Sequence, residues 1–493
     1  MNDVIKAVNP RSGKVDFEFP AVGGDEVAQI AARARAAQLQ WQSLSLAKRQ
    51  QAVLALADAV DRHAPKIAEA LFQDTGRLLM SEREVSGAAS NMRRWANLAP
   101  ELLGESMATP TQKSQIIDSL TYANQYVPYQ LVGFISPWNF PVTLSFIDAV
   151  PALMAGCSVI IKPSEVTSRF VAPFLAALAE VPELENVFQF VLGAGETGAA
   201  LVDNVDAICF TGSVPTGRKI AVAAAQRFIP AFLELGGKDP VIVTASADIE
   251  RATDAVLRGS VLNSGQVCLS IERVYVDSSI HDAFVERLQE KACAAKLNWP
   301  DIEDGHVGPL IFAGQADIIR RHIADAVDKG AQLVAGGKIE NLGGGLYCQP
   351  TILTNVTHDM AVMHEETFGP IMPVMSFDKI EQAIELANDS EFGLSGSVIA
   401  GSVEEARSIA EQINAGGISL NDCGLTIMTY EPEKNAFGLS GMGGSRMGPA
   451  SIWRFLRKKA IISQMGQPTP ISAFLEAQAD AIESHRDLPK IAV

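Results

Sequence analysis

The sequence lacks most of what a membrane, secreted or nucleic-acid-binding protein needs. No run of about 18 apolar residues occurs, so no segment is suited to span a bilayer. The first eight residues, Met1 to Val8, carry no apolar stretch of the export type. Cysteine is sparse, with six in 493 residues, at 157, 209, 268, 293, 348 and 423. None forms a CxxC pair or a cysteine–histidine cluster at zinc spacing. That argues against a disulfide framework and a structural metal, and it suits reduced thiols in a cytoplasmic setting. Positive charge is also short: 40 Lys and Arg stand against 57 Asp and Glu, and the formal net charge of −17 repels polyanions. Nucleic acid is therefore excluded as a partner. The densest basic cluster, Arg454 to Lys459, is expected to be a solvated helix end. The seven histidines are scattered, and neither a GxxxxGK[ST] phosphate loop nor a GxSxG nucleophile elbow is present.

What is present is a globular composition, 47% hydrophobic and 20% charged, in a chain too long for one core. Apolar residues at three-to-four spacing (Val27, Ile30, Ala31, Ala34, Ala37, then Val53, Leu56, Ala57, Val60) predict helices over 25–70. Short apolar runs at 131–135, 158–161, 187–192, 207–210 and 241–243 then alternate with helical stretches near 142–154, 168–179, 196–202, 215–226 and 248–262. This alternation predicts crossover units on a parallel sheet, hence a doubly wound α/β core. A second series follows, with strands at 273–276, 332–335, 371–377, 396–400 and 417–420. Residues 115–130 alternate polar and apolar and suit a projecting ribbon, equally a surface hairpin or a contact with another subunit. A last helix is expected from about Ser472, whose hydroxyl suits an N-cap.

Several segments carry possible chemistry. Gly265-Gln266-Val267-Cys268 places a thiol on a turn between a helix end and a strand, where it can be accessible. Glu234 closes an apolar run before Gly236-Gly237; apolar surroundings favour its neutral form and move it towards general-base duty. Asn139 stands between Pro137 and Pro141, and a rigidly held amide is what an oxyanion hole requires. Lys162-Pro163-Ser164-Glu165 and Phe210-Thr211-Gly212-Ser213 each follow a strand, at the edge where α/β sheets bind ligands. Glu165 can accept from ribose hydroxyls, and the Gly212–Ser213 turn can offer N–H groups to a phosphate. Gly193-Ala194-Gly195-Glu196-Thr197-Gly198 matches GxGxxG, but the acidic residue expected about 20 positions later is not clear.

In this order, with Glu365-Glu366-Thr367-Phe368-Gly369-Pro370 added, the motifs resemble the aldehyde dehydrogenase superfamily from Asn9-Pro10 to about Ile462. The resemblance implies two doubly wound parallel-sheet domains plus a small β oligomerisation arm. It divides the chain into an NAD-binding domain (1–114 and 132–233), a catalytic domain (234–445), and an arm with the C-terminal tail (115–131 and 446–493). It implies that Cys268 is the nucleophile, passing through a thiohemiacetal and a thioester, that Glu234 is the base, and that Asn139 with the Cys268 N–H forms the oxyanion hole. Lys162 and Glu165 match the adenine-side ribose site, Gly212 and Ser213 the pyrophosphate site, and Glu366 and Phe368 the nicotinamide half. Ile135, Trp138, Gly195, Phe210 and Leu235 fall along the cofactor groove. Glu165 would repel a 2′-phosphate, so NAD is expected over NADP. Family members that acylate coenzyme A generally lack the base, so Glu234 points to water as acceptor; an acylating enzyme and a catalytically silent relative are the alternatives. By family position, Phe140, Leu144, Ile147, Leu262 and Leu269, with part of 422–437, line the substrate pocket. That apolar set without an arginine favours an aromatic or aliphatic aldehyde over an anionic semialdehyde. Where many members have Gly-Gly-x-Lys, this chain has Asn435-Ala436-Phe437-Gly438-Leu439 before Ser440-Gly441-Met442-Gly443. A homodimer or homotetramer is expected.

Overall fold

The computed structural model describes residues 4–104 and 107–474. Its first large sheet has six strands. Across the sheet they run Gly441–Met442, Ala231–Glu234, Ala207–Thr211, Leu131–Ile135, Ser158–Lys162 and Phe188–Phe190. The five drawn from 131–234 are parallel, and Gly441–Met442 joins the edge antiparallel to Leu233 and Glu234. Continuous Val, Ile and Phe runs buried on both faces need helices on both sides. The helices Leu46–Thr75, Leu78–Leu103 and Pro141–Ala155 pack one face, and Gly24–Ser43, Gly195–Val202 and Val214–Gln226 pack the other.

The second sheet has seven strands, in the order Gln332–Ala335, Thr351–Thr354, Ile371–Phe377, Ile271–Asp277, Asp239–Val243, Ser395–Ile399 and Gly417–Leu420. All neighbours are parallel except Gln332–Ala335, which runs antiparallel to Thr351–Thr354. Both sheets are therefore doubly wound, each with one antiparallel edge strand. Separate apolar cores lie on the two faces of the second sheet.

A third, three-stranded sheet stands apart: Leu456–Gln464, Leu120–Pro128 and Gln112–Lys113. The first two pair over nine residues, from Leu456↔Pro128 to Gln464↔Leu120. The basic cluster 454–459 ends the 3-10 helix Pro449–Phe455 at Arg454 and continues, exposed from Arg457 on, into this strand. Arg454 bonds to Asp148, and Arg457 lies over the Tyr129 ring, so these charges have partners that periodicity cannot reveal. The expected strand 187–192 shortens to Phe188–Phe190 at the sheet edge, where it has one neighbour. The helix expected from 168 begins at Val171, because Asp74 holds the Arg169 N–H and guanidinium in the preceding turn. Of the C-terminal helix expected from Ser472, the described part, Ile471–Phe474, is a 3-10 turn; the rest lies outside the described residues. No described helix is long and apolar enough to cross a membrane.

Candidate active site

The helix Ile249–Val261 ends in a backbone reversal. Asn263, Ser264 and Gly265 have φ of 54°, 57° and 71°, three left-handed residues in a row. Such a turn persists only if its surroundings over-determine it. Ser264 Oγ donates to the Gly308 carbonyl at 2.9 Å, Gln266 Nε2 donates to the Asn263 carbonyl at 3.0 Å, and Gln266 Oε1 accepts from the Ile311 N–H at 2.8 Å. Glycine is required at 265 because a Cβ there would run into the Gly369 carbonyl. Beyond this turn, Cys268 projects just before the strand Ile271–Asp277, half-buried, and lines two adjoining cavities. Of the other cysteines, 157, 209, 348 and 423 are buried and Cys293 is exposed on a helix.

Asn139 is buried opposite. Its Nδ2 donates to the Gln266 carbonyl at 3.0 Å, which ties it to the Cys268 turn. Its own carbonyl accepts from Arg77 Nη2 at 3.0 Å and from Asn263 Nδ2 at 3.2 Å. Two residues on, the helix Pro141–Ala155 starts with proline at its first position, which favours helical φ and has no N–H to satisfy. Glu84 Oε2 caps that helix by accepting from the Val142 and Thr143 N–H groups at 3.1 and 3.2 Å, while Oε1 meets Arg77 at 3.3 Å. Burial pushes the Glu84 carboxyl up to about 7 against these partners. Arg77 and Glu84 are site residues that motif reading missed, because a distant part of the chain brings them in; Gln266 lies within the cysteine motif, which gave it no role of its own.

Glu234 ends the strand Ala231–Glu234, level with Thr211 on the neighbouring strand, and the next N–H, of Leu235, donates to the Ser440 carbonyl at 2.8 Å. Its carboxylate enters the cavity shared with Cys268, and Lys434 Nζ stands 3.8 Å away. Burial, then the carboxylates of Glu234 and Glu366, push the Cys268 thiol up to about 12, so at rest the sulfur keeps its proton and needs a base to lose it.

The cofactor side follows from strand register. Ile135 pairs with Lys162 on one side and Phe210 on the other, so three predicted residues stand in a row on the sheet's C-terminal edge. Lys162 Nζ donates to Glu165 Oε2 at 3.1 Å, and burial pushes this ammonium down. Gly195 opens the helix Gly195–Val202 beyond the edge strand Phe188–Phe190. Gly212 and Ser213 precede the helix Val214–Gln226, whose N-cap side chain leaves the first turn uncapped. A cavity of about 330 Å³ runs from there to Cys268, lined by Trp138, Asn139, Gly212, Ser213, Leu235, Glu366 and Phe368, with Phe312 and Gln315 as residues sequence reading missed. Gly236 also lines it, and a Cβ there would stand 2.5 Å from the Glu366 carboxylate. Glu272 holds the Thr367 and Phe368 N–H groups, both at 2.7 Å, and is itself paired with buried Lys238 at 2.6 Å. The Phe368 ring meets Trp138 edge-on at 5.3 Å. A dinucleotide fits this donor set: a carboxylate for ribose hydroxyls, an uncapped helix start for phosphate and a flat aromatic-walled slot.

The second cavity, about 270 Å³, opens on the other side of Cys268. Phe140, Leu144, Ile147 and Leu269 line it as expected, with Thr426, Ile427, Tyr430 and Lys434 from the 422–437 segment. Leu262 does not: it stands at the start of the 3-10 turn Leu262–Gly265, outside the lining. The expectation of a wall without arginine is also corrected, since Arg83 and Arg446 line it, both carried in from segments remote in sequence. Arg446 is buried and paired with Asp148, which also takes Arg454; Arg83 is exposed at the mouth.

Two cavities thus meet at one thiol, one with dinucleotide chemistry and one mostly apolar. The model of the aldehyde dehydrogenase family matches residues 1–461. The chain belongs to the aldehyde dehydrogenase family. Aldehyde dehydrogenases oxidise an aldehyde to an acid, and this chain is an oxidoreductase of that kind. A protein of Anabaena variabilis, provisionally named aldehyde dehydrogenase PutA, superposes with a TM-score of 0.92 at 51% identity, covering 95% of this chain and 99% of that one. Betaine aldehyde dehydrogenase of Staphylococcus aureus, solved in complex with NAD+, gives 0.89 at 29% identity over 96% of this chain and 94% of that one. A Mycolicibacterium smegmatis protein, provisionally named an NADP+-dependent succinate-semialdehyde dehydrogenase, is 33% identical over 97% of this chain and 93% of its own length. These matches agree with the doubly wound α/β fold expected from the alternation of strands and helices.

Proposed function

We propose that this aldehyde dehydrogenase uses NAD+ and water to oxidise an uncharged aromatic or aliphatic aldehyde. The observation that carries the reading is that Cys268 forms the common wall of the dinucleotide groove and the apolar cavity. NAD+ supplies the hydride acceptor. The protein supplies the rest. Glu234 takes the Cys268 proton, the thiolate adds to the carbonyl carbon, and Asn139 with the Cys268 N–H receives the charge that develops on oxygen. Oxidation leaves a thioester on Cys268; Glu234, having passed the cysteine proton on to solvent, then takes a proton from the water that releases the acid. Lys162 and Glu165 hold the adenine-side ribose, Gly212 and Ser213 the pyrophosphate, and Glu366 with Phe368 the nicotinamide ribose and ring. Ile135, Trp138, Gly195, Phe210 and Leu235 wall the groove.

The carboxylate of Glu165, 40% exposed, suits free ribose hydroxyls better than a 2′-phosphate. The substrate reading survives the arginine correction because Arg446 and Lys434 already face Asp148 and Glu234. Arg83 at the mouth is the feature that favours the second reading, an anionic semialdehyde held by its far end. We assign 1–114 with 132–233 to cofactor binding, 234–445 to catalysis, and 115–131 with 446–493 to assembly as a homodimer or homotetramer. Six free thiols suit the cytoplasm. The test is NADH or NADPH absorbance over benzaldehyde, aliphatic aldehydes and succinic semialdehyde, with NAD+ and NADP+ in parallel, with and without coenzyme A. Turnover confined to NADP+, to the semialdehyde, or to reactions containing coenzyme A overturns the corresponding part.

A further inference from the structure

Lys434 is a buried cation at the point where the proposed chemistry moves charge. It is 8% exposed and shares a cavity wall with Cys268 and Glu234. Its Nζ faces Glu234 Oε2 at 3.8 Å, an ion-pair separation too long for a hydrogen bond. The backbone that carries it is fixed: the Lys434 N–H donates to Ser445 Oγ at 3.0 Å, and that hydroxyl donates to the Met447 carbonyl at 2.9 Å. An ammonium held out of water this way is costly unless nearby negative charge compensates it.

The charges around the sulfur show what it compensates. Glu234, Glu366 and Asp239 all push the Cys268 thiol up, and Lys434 pulls it down. The other cations nearby are engaged elsewhere. Arg446 faces Glu234 too but is tied to Asp148, and Lys238, behind Glu366, is tied to Glu272. Arg83 is exposed at the mouth.

We propose that Lys434 is a positioning residue that restrains the Glu234 carboxylate and stabilises the negative charge as it passes to the Cys268 sulfur. This rests on the reading of Cys268 as nucleophile and Glu234 as base. In the step, the Cys268 S–H bond breaks, the proton goes to a Glu234 oxygen, and one negative charge moves from carboxylate to sulfur. Lys434 exchanges no proton in this step and never bonds to substrate. Both ends of that transfer lie near the same buried ammonium, so one cation compensates the charge at the start and at the end.

The test uses the full-length protein with Lys434→Met and Lys434→Arg. Iodoacetamide alkylation of Cys268, followed by peptide mass spectrometry to separate it from exposed Cys293, reports the thiolate fraction against pH. NADH production from propanal gives kcat/KM over the same range. In Lys434→Met, alkylation at pH 7 falls about tenfold, and the rising limbs of both profiles move up by about one pH unit, as loss of one nearby opposite charge requires. Lys434→Arg keeps the wild-type limbs. A Lys434→Met protein with native thermal melting and unmoved limbs overturns the proposal; if Met does not fold, Lys434→Gln is read by the same criterion. Wild-type protein that still makes NADH after full alkylation of Cys268 overturns the underlying reading instead, independently of Lys434.

Discussion

A cysteine ringed by carboxylates is a poor nucleophile at rest, and the site is arranged around that fact. With its thiol pushed up to about 12, Cys268 reacts only when Glu234 removes its proton. The two residues therefore fail differently. Cys268→Ala removes the bond-forming atom and lowers turnover by at least about a thousandfold, while NAD+ binding, followed by fluorescence titration, persists because the groove keeps its other walls. Loss of NAD+ binding in a folded Cys268→Ala protein would contradict the division of roles. Glu234→Gln keeps shape but cannot take a proton. Its expected signature is slow NADH production without a burst, seen by stopped flow, with NAD+ binding kept, since thiolate formation and water attack both lose their base. A steady state equal to wild type would remove Glu234 from the mechanism.

At the scale of elements, the sequence made some parts legible and hid others for physical reasons. Buried parallel strands such as Leu131–Ile135, Ser158–Lys162 and Asp239–Val243 stand out because their runs are mostly apolar on both faces and turn residues bound them. The hairpins Val4–Asn9 with Lys14–Pro20, and Ile339–Leu342 with Gly345–Cys348, went unread because short strands of mixed polar and apolar residues lack that signature. The helix Leu78–Leu103 did carry a signal, in Val85, Ala88, Ala89, Met92, Trp95 and Ala96. Motifs marked Asn139, Glu234 and Cys268, whereas Glu84 looks like any helix acid until the fold sets it against the start of Pro141–Ala155. That cap carries a prediction. Glu84→Ala frees two helix N–H groups and leaves Arg77 as an unpaired buried cation, which costs about 3 kcal/mol or more in chemical denaturation. Because Arg77 also holds the Asn139 carbonyl, kcat should fall about tenfold with the KM for NAD+ little changed. A variant as active and as stable as wild type would show that the cap does not position Asn139.

At the scale of the whole molecule, the third sheet is the part that has no core of its own. Its outer strand Leu456–Gln464 is exposed along eight of nine residues, and Ile461, Ile462 and Met465 show 48%, 66% and 71% of their surface. Single exposed apolar residues need no explanation, but a ribbon of them beside an open strand edge invites a second copy. Ile462→Asp should therefore shift the protein to a smaller species in sedimentation velocity, with the monomer fold intact by circular dichroism. An unchanged sedimentation coefficient would place the assembly surface elsewhere.

Stability against pH is also a property of the whole molecule, because unfolding releases every buried carboxyl at once. Burial, with the neighbouring Glu272 charge, raises Glu366 from an ordinary value of 4.5 to about 8. Asp74, Glu84 and Asp239 are each raised to about 7, burial being the largest cause. Between those limits the folded protein holds protons that the unfolded chain has released, so the contribution of each group is full below about pH 4.5 and is lost as pH rises through its folded value. Thermal unfolding of the ligand-free protein should thus occur at progressively lower temperature from pH 5 to pH 8. Glu366→Gln cannot ionise and removes one part of that slope. The variant should gain on wild type towards pH 8 while the remaining three groups keep some decline in both proteins. A melting-temperature difference that stays constant from pH 5 to pH 8 would mean that Glu366 does not ionise within that window, and the groove would then have to meet its cofactor with a different charge.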